Sequence, residues 1–97
     1  MPYFISLGSW TEQGIKNVKD SPKRVEAAKA AIASLGGKLV SFYYTVGKYD
    51  FIFVTEFPTD ELATQFLMSL GKLGNARTST LRAFSESEGF KLIGSLQ

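Results

Sequence analysis

The residues best suited to chemistry in this chain are a phenol and a carboxylate, which are adjacent in the segment Gly47-Lys48-Tyr49-Asp50. A phenol can donate or accept a proton, and a carboxylate can act as a base or bind a cation. The segment separates two apolar, aromatic runs, so it either shapes a hairpin turn or lines a site at the head of a strand. Gly47 fits the first role because glycine accepts the positive φ that tight turns often require.

The spacing of Tyr49 and Asp50 argues against a joint catalytic role. If a strand begins at Tyr49, the two side chains point to opposite faces of the sheet, because side chains alternate along a strand. The phenol then shares a face with the phenylalanines of that strand, and Asp50 enters the other, apolar face. A carboxylate there needs a cation or backbone N–H donors, and Arg77 and Arg82 are the candidate cations. We favour a buried ion pair that is structural over a catalytic carboxylate.

Several aromatic and charged residues could instead line a pocket for a small anionic or aromatic molecule. Aromatic side chains bind flat, apolar groups, and guanidinium groups bind anions in a planar, bidentate way. The candidate ligand-binding residues are Trp10, Tyr44, Tyr49, Asp50, Arg77 and Arg82. Packing in the core or at a dimer interface is the favoured explanation for any single aromatic ring among them. A small pocket between sheet and helices, or inside a dimeric barrel, stays open.

The absence of histidine and cysteine excludes several kinds of chemistry. Imidazole bases, thiol nucleophiles, disulfides and conventional zinc or haem ligation all need one of these side chains. A hydrolase triad of the usual kind is excluded too, since serine and threonine have no imidazole to activate them. We therefore predict no metal and no cofactor. Proton transfer by Tyr49 or Asp50, with Arg77 stabilising an anion, and a Lys-assisted nucleophile are the catalytic chemistries left open.

The composition predicts one folded domain spanning residues 1–97. The hydrophobic share is 44%, the charged share is 21% and the net charge is +2, which is too small to argue for a polyanion partner. A domain of this size is near the limit at which a second copy often supplies missing burial. No apolar run approaches the roughly 20 residues that cross a bilayer, and the first residues lack a basic segment and a cleavage site. We predict a cytoplasmic protein without a membrane partner.

The pattern along the chain predicts the order βαββαβ followed by a terminal helix. Strands are predicted where β-forming apolar and aromatic residues cluster, and helices where capping residues open a stretch with apolar residues at helical spacing. The predicted strands cover residues 3–9, 38–45, 50–57 and 77–84. The helices are expected to start at Thr11, Ser21, 58–61 and 85–88, with Ser21 as a cap. The terminal helix is expected to turn Phe90, Ile93 and Leu96 inward.

This order is that of an α+β, ferredoxin-like domain, in which one four-stranded antiparallel sheet carries its helices on one face. In the third strand both alternating sets are apolar, with Phe51, Phe53 and Phe57 on one side and Ile52 and Val54 on the other. A solvated face would be polar. Because the helices cover only one face, we expect a second copy of the chain to cover the other face in a homodimer.

Gly47, Tyr49 and Asp50 match the Gly-x-Tyr-Asp signature of the GYD domain family, which this chain resembles over almost its whole length. Segments 8–14, 43–45 and 74–84 support the resemblance. What the resemblance implies is a ferredoxin-like domain of the dimeric α/β-barrel kind. It leaves the activity open, because the family is largely uncharacterised.

RNA-recognition motifs share the βαββαβ order, and their third strand carries aromatic residues between small ones for base stacking. Here Lys48 takes the place of the glycine, Asp50 that of the small residue and Val54 that of the last aromatic. We therefore predict no nucleic-acid partner. The sequence favours a homo-oligomeric module that binds a small molecule or acts in regulation or assembly. A cofactor-independent enzyme of oxygenase or isomerase type, suggested by fold analogy, is the alternative.

Overall fold

The computed structural model describes residues 1–97 and shows a four-stranded antiparallel sheet with helices against one face. The strands pair in the order β2-β3-β1-β4. This arrangement confirms the predicted α+β, ferredoxin-like fold. In chain order the elements are β1 (Tyr3–Trp10), α1 (Glu12–Lys16), a 3-10 turn (Val18–Asp20), α2 (Ser21–Ser34), β2 (Lys38–Tyr44), β3 (Phe51–Glu56), α3 (Asp60–Lys72), β4 (Ala76–Ala83) and α4 (Glu86–Gly94).

Most helix starts follow the local capping rules. The Thr11 hydroxyl accepts from the N–H of Gly14 at 3.0 Å, and the N–H and side chains of Ser85 and Glu88 form a complete capping box. Ser21 differs from its expected role as a cap. It is the first residue of α2, it is buried, and its Oγ lies 2.8 Å from the Oη of Tyr44. The prediction that Ser21 caps the helix is wrong, because its hydroxyl is hydrogen-bonded to a tyrosine that is distant in sequence.

The hydrophobic core lies between the sheet and helices α2 and α3. Side chains along β3 alternate between buried and half-buried, as the sequence predicts. Phe51, Phe53 and Phe57 point into the core, where Ile32 of α2 and Phe66 of α3 meet them. The alternation is a local property of an extended chain, so it follows from the residue pattern alone.

The opposite side of the sheet, which we call the open face, is apolar and uncovered. Its central residues are paired across the strands: Ile5 lies opposite Val54 and Leu81, and Leu7 lies opposite Ile52. They alternate with the buried residues that face the helices, and Ile5, Leu7, Ile52 and Val54 are half-buried. Leu81 is 53% exposed. The predicted apolar second face is therefore present.

The terminal helix α4 is the clearest departure from expectation. Phe90 and Ile93 are each 66% exposed and Leu96 is 76% exposed, so the prediction that they turn inward is wrong. The helix makes only marginal contact with the other elements, and the chain measures 51 × 31 × 18 Å along its principal axes. Helical spacing defines an apolar stripe, but it does not supply a surface for that stripe to pack on. No helix of the chain combines the length and the apolarity needed to span a membrane.

Candidate functional site

The Gly47-Lys48-Tyr49-Asp50 segment forms the turn between β2 and β3. Gly47 adopts a φ of +136°, a conformation that glycine accepts readily, and a Cβ added at this position would meet no atom within 4 Å. Thr45, at the end of the turn opposite Asp50, makes two hydrogen bonds across it. Its Oγ1 donates to the carbonyl of Tyr49 at 2.6 Å, and its N–H donates to the carbonyl of Asp50 at 2.9 Å. The turn is thus closed by hydrogen bonds to the backbone of the two signature residues.

Asp50 fastens this turn to β1. Its N–H donates to the carbonyl of Gly8 at 2.8 Å, and its Oδ2 accepts from the N–H of Trp10 at 2.8 Å. The strand β3 begins only at Phe51, so the carboxylate supplies an acceptor where the β3 backbone no longer pairs with β1. The sequence predicts two kinds of partner for Asp50. A backbone donor is present, whereas the prediction of an ion pair with an arginine is wrong. These two backbone hydrogen bonds hold Asp50 in place without a ligand.

The strand register explains why neither arginine meets Asp50. Arg82 lies opposite Phe4, near the other end of β1, roughly 20 Å along the strand from Trp10. Its guanidinium stacks over the rings of Phe4 and Phe84 at 5.8 and 4.2 Å, and it donates to the backbone carbonyl of Ala83. Arg77 lies nearer, opposite Ser9, but its side chain is exposed and forms no ion pair.

The two candidate tyrosines make different contacts. Tyr44 packs edge-on against Phe42, with ring centroids 4.9 Å apart, and its hydroxyl is bonded to Ser21. Tyr49 belongs to the turn and not to β3, so it does not continue the face of the β3 phenylalanines as predicted. The Nζ of Lys48 lies 5.6 Å from the centroid of the Tyr49 ring. Arg77 makes no ion pair with Asp50, and Tyr49 and Asp50 contact Thr45 through their carbonyl groups.

A cleft of about 470 Å³ lies between the sheet and helices α2 and α3, and it is the best-formed candidate site. Of the six candidate residues, only Trp10 lines it. The Trp10 ring packs on Phe51 with centroids 4.9 Å apart. The other lining residues are mostly apolar: Ser21, Arg24, Val25, Ala27, Ala28, Ala31, Ile32, Leu39, Phe42, Phe51, Phe53, Phe66, Ser69, Leu70, Lys72, Leu73, Asn75 and Ala76.

The ionisable lining residues of the cleft are Arg24 and Lys72, both cations. The Arg24 guanidinium lies over the Trp10 ring at 5.6 Å, and its Nη1 donates to the carbonyl of Asn17 at 3.0 Å. No carboxylate or phenol is among the lining residues. The arrangement can bind an anion or an apolar group, but it brings together no general acid and base.

The candidate ligand-binding residues predicted from the sequence do not include Arg24 or any other residue of α2. A signal was present, because Arg24, Ala27, Ala28 and Ala31 recur at spacings of three and four and so occupy one face of a helix. Ala28 is half-buried and Ala27 and Ala31 are exposed at the rim of the cleft, where leucines would fill space that alanines leave open. A run of small residues beside a single arginine is thus the pattern that marks this wall.

Comparisons with known proteins agree on the family and the fold. A family model described as GYD domain matches residues 4–93. A protein of Thermus thermophilus named glutamine synthetase and cystathionine beta-lyase binding protein is 29% identical over 84 residues, which make up 86% of this chain and 88% of that protein.

Two solved structures are similar in fold. The crystal structure of FFRP-DM1 has a TM-score of 0.62 at 21% identity and covers 87% of this chain and all of its own. A hypothetical protein from Pyrococcus horikoshii has a TM-score of 0.57 at 20% identity, with 89% and 93% of the two chains covered.

Proposed function

This chain belongs to the GYD domain family, and on that premise we propose that it is a binding module without catalytic activity of its own. In this proposal two copies associate through their open faces, and the resulting homodimer docks on a partner enzyme as a regulatory or assembly factor. The observation that carries the proposal is the apolar open face, whose paired residues lie on the side of the sheet away from the hydrophobic core.

The open face supports self-association because of its shape and composition. Ile5, Leu7, Ile52, Val54 and Leu81 form a contiguous apolar surface at the centre of a sheet. Contiguous apolar surfaces of this kind mark interaction sites on soluble proteins. A twofold axis through the centre of the sheet would let the same residues of two copies cover each other.

The exposed stripe on α4 supports the same proposal. Phe90 and Ile93 extend from a helix that hardly touches its own chain. In a dimer, α4 of one copy can pack beside the sheet of the other, so that both apolar surfaces lose their contact with water together. Each apolar side chain buried in this way would contribute roughly 1.5–3 kcal/mol to association before entropic costs.

Support for a partner enzyme comes from the Thermus thermophilus relative, whose name describes a protein that binds glutamine synthetase and cystathionine beta-lyase. The alternative is a cofactor-independent oxygenase- or isomerase-like enzyme of the dimeric α/β-barrel kind. That function would require a proton-transfer group that faces a cavity, and neither Tyr49 nor Asp50 lines the cleft. We therefore place binding ahead of catalysis.

Sedimentation velocity at micromolar concentration tests the self-association. We expect a dimer for the wild type and a folded monomer for Leu7→Lys, because the interface would have to strip water from a central ammonium group. Ala33→Lys is the matched control, since it adds the same charge to an exposed position of α2 outside the cleft. A wild-type monomer, or an unchanged association of Leu7→Lys, would overturn the dimer.

Calorimetric titration tests the partner. Glutamine synthetase and cystathionine beta-lyase from the same organism as this chain are each titrated with the wild type. We expect saturable binding to at least one of them. Absence of binding to both enzymes would refute this choice of partner while leaving the dimer result unaffected.

A further inference from the structure

We propose that the cleft between the sheet and helices α2 and α3 binds a small, planar, apolar molecule that carries one anionic group, such as an aryl carboxylate. The site lies on the helix-covered side of the sheet, opposite the open face. It is therefore distinct from the surface on which the proposed dimerisation depends, and it goes beyond that function.

The cleft exists because small residues line the α2 wall. Ala28 is half-buried and Ala27 and Ala31 are exposed, and none of these side chains is long enough to fill the space between α2 and α3. Space of this kind normally lowers stability, because lining atoms lose their packing partners. The volume of about 470 Å³ lies within the range of small-molecule sites and holds roughly 15 water-sized groups.

Aromatic rings define the shape of the apolar part of the ligand. The rings of Phe42, Phe51 and Phe53 are nearly parallel, with interplanar angles of 13°, 7° and 12° and centroid separations of 5.7 to 6.2 Å. Trp10 is tilted by 48° against Phe51 at the end of this series. A flat ring can pack against such a series in an offset or edge-to-face geometry, which aromatic pairs prefer.

Arg24 is the group that would bind the anion. Its guanidinium is held in place by the Trp10 ring at 5.6 Å and by a hydrogen bond to the Asn17 carbonyl at 3.0 Å; a longer contact of 3.5 Å reaches the Gly14 carbonyl. These contacts use only part of its five N–H donors, and no carboxylate pairs with it. A half-buried, oriented guanidinium with free donors is suited to a carboxylate or a similar anion.

Charge complementarity supports the anion. Lys72 lines the opposite wall on α3, so both ionisable lining residues of the cleft are cations. The remaining polar lining residues are neutral: Ser21, Ser69 and Asn75. Two cations and no anion on the lining favour an anionic head group over a cationic one.

Anilinonaphthalene sulfonate and its neutral counterpart, phenylnaphthylamine, are the probes for a test. They share a planar aromatic body and differ in the sulfonate. Trp10 is the only tryptophan in the chain and lines the cleft, so quenching of its emission reports on a probe bound there. We expect saturable binding of one anilinonaphthalene sulfonate per chain, with quenching of Trp10.

Two matched pairs of variants locate the binding. Ala28→Leu fills the cleft and should abolish probe binding, whereas Ala30→Leu adds the same side chain to an exposed position of α2 outside the cleft and should have no effect. Arg24→Gln should lower the affinity for anilinonaphthalene sulfonate about tenfold or more and leave the affinity for phenylnaphthylamine unchanged. Lys23→Gln removes the same charge from the adjacent, exposed residue and should change neither affinity.

Each outcome of this test decides the proposal. Absence of saturable binding to the wild type would overturn it, since the cleft would then be closed or filled by α4 of a second copy. Equal binding to Ala28→Leu, in a variant that unfolds cooperatively, would also overturn it by placing the probe elsewhere. If Arg24→Gln lowered the affinities for both probes equally, or changed neither affinity, the assigned ligand class would be wrong.

Discussion

The Oδ2 of Asp50 accepts a hydrogen bond from the backbone N–H of Trp10 at 2.8 Å, while the N–H of Asp50 donates to the carbonyl of Gly8. Asp50 thereby adds hydrogen bonds to β1 just before the first residue of β3, Phe51. It connects the GYD signature turn to the strand that carries Trp10, which lines the cleft. The carboxylate of Asp50 therefore helps to position Trp10, although Asp50 does not itself line the cleft.

This connection predicts the effect of substitutions at Asp50. Asp50→Ala should lower the free energy of unfolding by about 1–3 kcal/mol, because the Trp10 N–H loses its acceptor in a partly buried place. Asp50→Asn keeps an acceptor oxygen and should cost less than Asp50→Ala. Urea denaturation followed by Trp10 fluorescence measures both. Equal stability of Asp50→Ala and the wild type would contradict the structural role.

The hydrogen bond between Ser21 and Tyr44 is the subject of a second prediction. Tyr44→Phe leaves the buried Ser21 hydroxyl without its partner, and Ser21→Ala removes the other half of the bond. We expect a coupling energy of about 0.5–1.5 kcal/mol in a double-mutant cycle, with the double variant more stable than the sum of the single effects implies. Thermal and urea unfolding of the four proteins measure it; additive losses would show that the hydroxyls do not interact.

A third prediction contrasts two helical glycines. A Cβ on Gly14 would overlap the carbonyl oxygen of Asn75, which is itself held by the N–H of Thr11. Gly14→Ala should therefore destabilise the fold by at least about 1–3 kcal/mol. Gly89 in α4 has open space around the same position, and Gly89→Ala should stabilise the helix by roughly 0.5–1 kcal/mol. In urea denaturation, we expect the free energy of unfolding to fall for Gly14→Ala and to rise for Gly89→Ala. An unchanged free energy of unfolding for Gly14→Ala would contradict the close approach.

The capping box of α4 predicts a dependence on pH. The N–H of Ser85 donates to the Oε1 of Glu88 at 2.8 Å, and this bond lowers the pKa of the Glu88 carboxyl below its ordinary value of 4.5. Because the folded pKa is the lower one, the stabilisation is complete above the unfolded pKa. It is lost as the pH falls through the folded pKa, and α4 should fray in that range.

NMR titration of the Glu88 carboxyl and far-UV circular dichroism measure this effect. Glu88→Gln should remove the part of the helical signal that changes below about pH 4.5, whereas Glu86→Gln, in the same turn but outside the capping box, should retain it. A Glu88 carboxyl that titrates at or above its ordinary pKa would contradict the prediction.

Local patterns predicted the order of elements and the alternation of β3, because each depends on hydrogen bonds and side-chain directions within a few residues. The capping box of Ser85 and Glu88 and the positive φ of Gly47 belong to the same class. Predictions failed where a partner was distant in sequence. The hydroxyl of Ser21 meets Tyr44 across 23 positions, and the stripe of Phe90 and Ile93 has no partner surface within its chain.

The sequence by itself determined the α+β order, two apolar sheet faces, and the absence of imidazole and thiol chemistry, since these depend on residue types and short spacings. Only the tertiary structure decided the partner of Asp50 and the place of the cleft. The β1–β3 register puts Gly8 and Trp10 beside Asp50, and neither arginine of β4 forms an ion pair with this carboxylate. The cleft combines Trp10 of β1, Arg24 and the alanines of α2, and the phenylalanines of β2 and β3, which become neighbours only when helix and sheet pack.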